Sequence, residues 1–418
     1  MKVYINTTQS NFKALNYTFL LFCKNKNIQP EFVINENECD VNIDPEAIEN
    51  SLFIDKNFYI KVFQNKEKVA FHEIDHRDKL TQAFYLINSL DEQFWPSIDE
   101  IGRYNYSASL QLRNKNILSN HVQILFDEVF ELINAKFNLK QYSFQSRVFL
   151  SHDVDNIYGG WKEDGFAALK SNNYKVFLDL LIKHLLQQPH WLTIDKIMKI
   201  HDEYDLKSTF FWIVNKGKAK NGLYNADYKF SSEIITKQRQ KIITKGFENG
   251  LHKSVSDETF ASEIKKFGNQ PFSNRNHYLR FSLPEHYHQI EESGIKVDCS
   301  LGFAEHYGFR NNYGLPFQPF DILNNKKFSF VEVPLHLMDR TFYNYLKIPV
   351  HKVADQCIEF IENNKTNCIL SVLWHNNFFE SIKYKGYLEE YKKILFYLYE
   401  SKIRSISPQE IFENYKIN

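Results

Sequence analysis

The feature that most constrains this chain is a change of pattern near residue 141, after which short apolar strands alternate with amphipathic helices. Strand-like runs fall at residues 148–150, 209–213, 247–251, 295–297, 330–333 and 369–373, and another is expected at 278–281. Between them, residues 193–203 place Ile194, Ile197 and Met198 on one helical face, and residues 257–267 do the same with Phe260, Ile264 and Phe267. A helix starts after Ser231 or Ser232 and stops before Gly246, and Ser256 reads as the N-cap of the 257–267 helix. Ser282-Leu283-Pro284-Glu285 reads as a capping box for a helix that ends before Gly294. Helices over 350–362 and 387–401 complete the series. Repeated β-α units of this length imply parallel strands covered by helices. Seven or eight of them favour a (β/α) barrel over an open sheet.

Residues 1–140 read as a separate, smaller α/β domain preceding a barrel domain at 141–418. Its expected elements are a strand at 3–5, a helix over 12–23, a strand hairpin pairing 58–63 with 69–71, and helices over 78–90 and 120–137. One motif here competes for attention. His72-Glu73-Ile74-Asp75-His76 matches the H-E-x-x-H zinc-protease signature. That chemistry needs both histidines on one face of a helix. The motif instead follows the strand-like 69–71, and Asp75 or Asp78 reads as a helix cap, so the helix begins too late.

Composition narrows the function classes. Lys+Arg and Asp+Glu are both 51, so the basic excess of a nucleic-acid binder is missing. No apolar run reaches signal-peptide or membrane-span length. Five scattered cysteines without a C-x-x-C read as reduced thiols of a cytoplasmic protein. The 16% aromatic content is mostly core, and it also suits stacking on sugar rings.

Chemistry-bearing residues recur at one place in the repeat. Asp153 and Asp155 follow the first barrel strand, and His252, Asp298, His336 and His375 follow later ones, with Asp339 beside His336 at the same rim, where substrate contact and ordinary loop hydrogen bonding are equal readings. In a (β/α) barrel such positions share the C-terminal rim, where active sites form. Asp and His suit Zn²⁺ or a similar divalent ion, a further carboxylate can take a proton from water, and an imidazole opposite can protonate a leaving amine. Asp153 and Asp155 are two apart, so in extended chain they point to one side.

The ordered set Ser-His-Asp-Val-Asp (151–155), Ser-Thr-Phe-Phe (208–211), Gly-Leu-His-Lys-Ser (250–254), Arg-Asn-His-Tyr-Leu-Arg (275–280), Asp-Cys-Ser-Leu-Gly-Phe (298–303), Gly-Phe-Arg (308–310) and Leu-Trp-His-Asn (373–376) resembles the polysaccharide deacetylase superfamily (carbohydrate esterase family 4, NodB-like). It is most similar to a subgroup with an extra N-terminal domain. The resemblance implies a distorted, seven-stranded (β/α) barrel and metal-dependent hydrolysis of an N-acetyl group on a sugar, in a glycan or glycan precursor. It implies Asp153 as general base, Asp155 and His252 as metal ligands, His375 as general acid and Arg275 as the residue that orients the base. Asp298 resembles an acidic residue that tunes the acid. One position departs from the pattern. The family's second motif carries histidines four apart, and the residue four after His252 is Ser256. The third ligand is then His277, a water, or absent, and in the last case the alternative is a barrel that binds glycan without turnover.

Overall fold

The computed structural model describes residues 1–5, 9–44, 51–137 and 139–417. The N-terminal region holds a parallel sheet of β1 (Lys2–Ile5), β2 (Glu31–Phe32), β3 (Val41–Asp44) and β4 (Ser51–Phe53) in the order β2-β1-β3-β4. The helices Gln9–Asn25, Lys79–Ile87 and His121–Phe137 form close to their expected places. The expected hairpin does not. Lys56–Tyr59 is α-helical and continues as a wider turn over Ile60–Gln64, and Phe71–Glu73 is a single 3₁₀ turn. Asp55 caps the first of these by accepting from the Asn57 N–H. Phe58, Tyr59, Val62 and Phe63 are buried, and their i, i+1, i+4, i+5 spacing suits one face of a helix.

From residue 147 the chain builds an eight-segment parallel sheet. Its segments are β5 (Arg147–Val154), β6 (Ser208–Trp212), β7 (Glu248–Lys253), β8 (Ser273–Asn276), β9 (Val297–Asp298), β12 (Val331–Glu332), β13 (Leu337–Met338) and β14 (Ile369–Leu373). The small antiparallel pair β10 (Phe320–Asp321) and β11 (Lys326–Lys327) lies outside it. The order is β12-β9-β8-β7-β6-β5-β14-β13. Strands buried on both faces explain the apolar runs over Val148–Leu150 and Ile369–Leu373.

The two edge segments, β12 and β13, are joined by only residues 333–336. Seven strand spacings of about 4.8 Å would hold the edges of a flat sheet about 34 Å apart. Five residue steps reach about 17 Å. The sheet therefore curls until its edges meet across this link. There Val333 N–H donates to the Asp298 carbonyl at 2.8 Å, Leu335 N–H to Leu301 at 2.9 Å, and His336 N–H to Ser371 at 3.3 Å. The eight segments thus lie on seven runs of chain, with 331–338 the run that closes the curl.

Three expected details of the covering segments differ. The 260–267 helix is capped by Thr259, not Ser256. The expected strand at 278–281 is a 3₁₀ turn over His277–Leu279. The helix Glu285–Ser293 ends at Gly294 as expected, but no side chain caps its start. The N-terminal region and the barrel share one apolar cluster, in which Tyr17, Phe63 and Phe84 meet Phe320. Buried polar contacts add to it. Glu92 takes Arg310 at 2.5 and 3.2 Å, and the Ile87 carbonyl accepts from Asn311 at 3.1 Å.

Candidate active site

Asp153 stands near the end of β5 and Asp155 just beyond it, and their alternation sends both carboxylates the same way. His252 Nε2 lies 3.4 Å from Asp153 Oδ2 and 3.4 Å from Asp155 Oδ1. The intervening side chain of the motif, His152, points to the other face. It is fully buried, its Nδ1 is 2.7 Å from the Trp374 carbonyl, and burial pushes its pKa down to about 3.

Asp153 is held from β8. Arg275 Nη1 donates to Asp153 Oδ1 at 2.9 Å and to Ser151 Oγ at 2.9 Å, and its Nε donates to the Cys299 carbonyl at 3.0 Å. The guanidinium lies over the Phe211 ring at 4.6 Å. That ring can occupy its place because residue 250 is glycine, where a Cβ would sit 2.5 Å from it. Burial works to raise the Asp153 carboxyl, but His252 and Arg275 beside it hold it below the usual carboxylate range.

Asp155, His252 and His277 form a buried group whose ligand atoms lie within 4.8 Å of one another. His277 Nε2 is 3.6 Å from Asp155 Oδ1. A tetrahedral ion with bonds of about 2.0–2.1 Å sets its ligand atoms about 3.4 Å apart, so these separations fit one. The His252 tautomer fits as well. His252 Nδ1 is 2.8 Å from the Arg275 carbonyl, which fixes the N–H on that side and leaves the lone pair on Nε2. His252 Nε2 and Asp155 Oδ1 are buried without a hydrogen-bond partner among the described residues. Ser256 takes no part. Its hydroxyl lies among Ser254, Asn215 and Glu263.

His375 faces the group from β14, with Nε2 3.7 Å from Asp155 Oδ2. Its Nδ1 lies 2.7 Å from Asp339 Oδ1, and its backbone N–H donates to Asp339 Oδ2 at 2.6 Å. Asp298, expected to tune this imidazole, lies elsewhere. It binds His286 Nε2 at 2.7 Å and accepts from Asn274 at 2.7 Å and Ser300 at 3.1 Å. His336 also leaves the site. Its Nδ1 accepts from the Ser371 N–H at 3.0 Å within the closing link.

Asp153, Asp155, His252, His277 and His375 line a cavity of about 590 Å³. Three further contributors carried no strong signal in the sequence. Arg340 Nη2 lies 3.5 Å from Asp155 Oδ2, on the side opposite the histidine pair. Ile101 and Arg103 come from the N-terminal region, with Arg103 fixed by Asp99 and by the Tyr345 hydroxyl at 2.9 Å. The rim rule marks Asp339 in the sequence, and Arg340 is the residue directly after it.

The second histidine-acid group, in the H-E-x-x-H motif, does not converge. His72 and Glu73 sit in the 3₁₀ turn, the next helix starts only at Lys79, and the His76 side chain is 93% exposed.

No family model matches the chain, and no curated protein matches it. Among solved structures, it is similar to a 4-alpha-glucanotransferase from Thermococcus litoralis (TM-score 0.36, 13% identity, 65% of this chain and 38% of that one). It is also similar to a CE4 family pseudoenzyme from Bacillus anthracis (TM-score 0.28, 11% identity, 67% of this chain and 72% of that one). A mutant of a CE4 family pseudoenzyme with restored enzymatic activity matches with the same TM-score and identity, over 67% of this chain and 75% of that one. Among the described residues, no helix is long and apolar enough to cross a membrane.

Proposed function

We propose that the chain is a metal-dependent hydrolase that removes the acetyl group from an N-acetylated sugar unit in a glycan or glycan precursor. The observation that carries this reading is the arrangement around Asp155. A three-donor group lies on one side, a carboxylate locked by Arg275 stands beside it, and an Asp339-oriented imidazole stands opposite.

A divalent ion such as Zn²⁺, held by Asp155, His252 and His277, would polarise the acyl carbonyl and lower the pKa of bound water. The chain's own groups divide the proton work. Asp153 takes a proton from the attacking water as its oxygen bonds to the acyl carbon. The imidazole of His375, with Nδ1 held toward Asp339, presents Nε2 to the leaving nitrogen and protonates it as the C–N bond breaks. The products are acetate and the free amine. Arg340 adds a fixed positive charge beside the developing oxyanion. The loop carrying Ile101 and Arg103 gives residues 1–140 a part in shaping the cleft.

The alternative, a barrel that binds glycan without turnover, draws on Ser256. Its support weakens where His277 supplies a third donor from the turn after β8. The experiment is metal analysis of the purified chain together with acetate release from N-acetylated oligosaccharides. Asp153→Asn keeps its metal and loses turnover by about a thousandfold. Unchanged turnover would remove Asp153 from its role, and a wild-type chain that holds metal but releases no acetate would favour the alternative.

A further inference from the structure

Exposed apolar side chains are ordinary when scattered and informative when gathered. Here they gather on the helical hairpin that follows β5, formed by Gly160–Lys170 and Tyr174–Leu185. The second helix has one fully buried side chain, Leu180. Tyr174, Leu178, Ile182 and Leu185 are 60, 54, 55 and 72% exposed. At about 100° per residue these four fall within an arc of about 80°, a continuous apolar stripe. Phe166, 71% exposed, adds to it from the first helix.

The unpaired charge around the stripe is positive. Lys162, Lys170 and Lys175 form no ion pair among the described residues, whereas the hairpin's acids are spoken for. Glu163 pairs with Lys383 at 2.8 Å and Asp179 with Lys183 at 2.8 Å. Asp164 is fully buried and fixes the hairpin to the barrel through Trp191, Ser381 and the Lys383 N–H. Lys162, Lys170 and Lys385 also line a groove, together with Phe166 and the Glu163–Lys383 pair. The chain as a whole is neutral, so this local excess is not a reflection of composition.

We propose that this hairpin seats the protein on an anionic lipid surface, with the apolar stripe entering the headgroup boundary and the lysines meeting the lipid phosphates. An apolar face flanked by lysine is the pattern that lies in a bilayer interface. A helix of 12 residues is too short to cross. A second copy of the chain fits less well. A two-fold contact sets each patch against itself, and here that would oppose lysine to lysine.

The test is flotation of the full chain with vesicles of phosphatidylcholine alone or with about one third phosphatidylglycerol. The wild type is expected to float with the mixed vesicles, less so with the neutral ones, and to be released by salt. Leu178→Ser/Ile182→Ser/Leu185→Ser lowers partitioning by about a hundredfold. Lys170→Glu/Lys175→Glu lowers it by at least about tenfold on mixed vesicles only. Both variants change exposed positions, and an unchanged melting temperature verifies their fold. Failure of the wild type to bind mixed vesicles at low salt overturns the proposal, as does equal binding by the triple variant. A wild-type dimer in light scattering that the triple variant converts to monomer assigns the stripe to a second copy instead. Asp153→Asn binds vesicles like the wild type, so this result stands or falls apart from the hydrolytic reading.

Discussion

Two regions of this chain carry histidines beside acids, and they differ in everything except composition. In the N-terminal region, His72 and His76 stand in a five-residue motif that sequence inspection finds at once. Their backbone is a 3₁₀ turn followed by a bend, and His76 points into solvent. In the barrel, His252, His277 and Asp155 come from three elements spread over 123 positions and meet in a buried group. A ligand set is a property of where side chains converge, not of their spacing in the chain. The second region converges because a curled parallel sheet brings strand ends to one rim.

That contrast breaks if the exposed motif holds the metal. The largest expected effect is therefore Asp155→Ala, which should abolish stoichiometric metal in elemental analysis and acetate release with it. His277→Ala should do nearly the same. His72→Ala/His76→Ala should change neither, and metal lost from that double variant but kept in Asp155→Ala would reverse the assignment. Next in size, Asp339→Asn should lower turnover by about a hundredfold with metal content and KM nearly unchanged, because the imidazole loses its orienting carboxylate. Asp298→Asn serves as its control. It should cost stability through His286, and a comparable turnover loss without destabilisation would return the tuning role to Asp298. Glu92→Ala should destabilise by about 3–5 kcal/mol, read in denaturant melts, since it strands the Arg310 guanidinium in the interior. The smallest effect expected is at Gly250→Ala. Pushing Phe211 aside should cost about 1–3 kcal/mol, with some loss of turnover as Arg275 shifts.

The same contrast explains what was readable in the residues. Strands β5, β6, β7 and β14 were legible because burial on both faces writes a continuous apolar run. Strand β8 was not. Its sequence is Ser-Asn-Arg-Asn, every residue is buried, and the expected strand was set on the more apolar 278–281 instead. Three of these four polar residues find hydrogen-bond partners on neighbouring strands and loops. Asn274 donates to Asp298, Arg275 to Asp153, and the Asn276 N–H to Ser300. The hairpin expected at 58–71 failed for a different reason. A short apolar run fits either period, and the Asp55 cap decided for helix. Asp153, Asp155, His252, His277, Arg275 and His375 were all foreseen and all converge. Asp298 was misplaced because its partner lies on the helix Glu285–Ser293, which spacing along the strands cannot reveal.

The curl of the sheet also sets an order of events during synthesis. β5 pairs with β6 after about sixty residues of chain, but its other neighbour is β14, where Arg147 meets Ile369 across 222 positions. A nascent chain must therefore carry β5 with one open edge until Ile369–Leu373 has emerged. Pairings this distant form slowly, and an unpaired apolar edge invites association with other chains. The strand that presents the two aspartates is thus the first of the barrel to be made and the last to be enclosed.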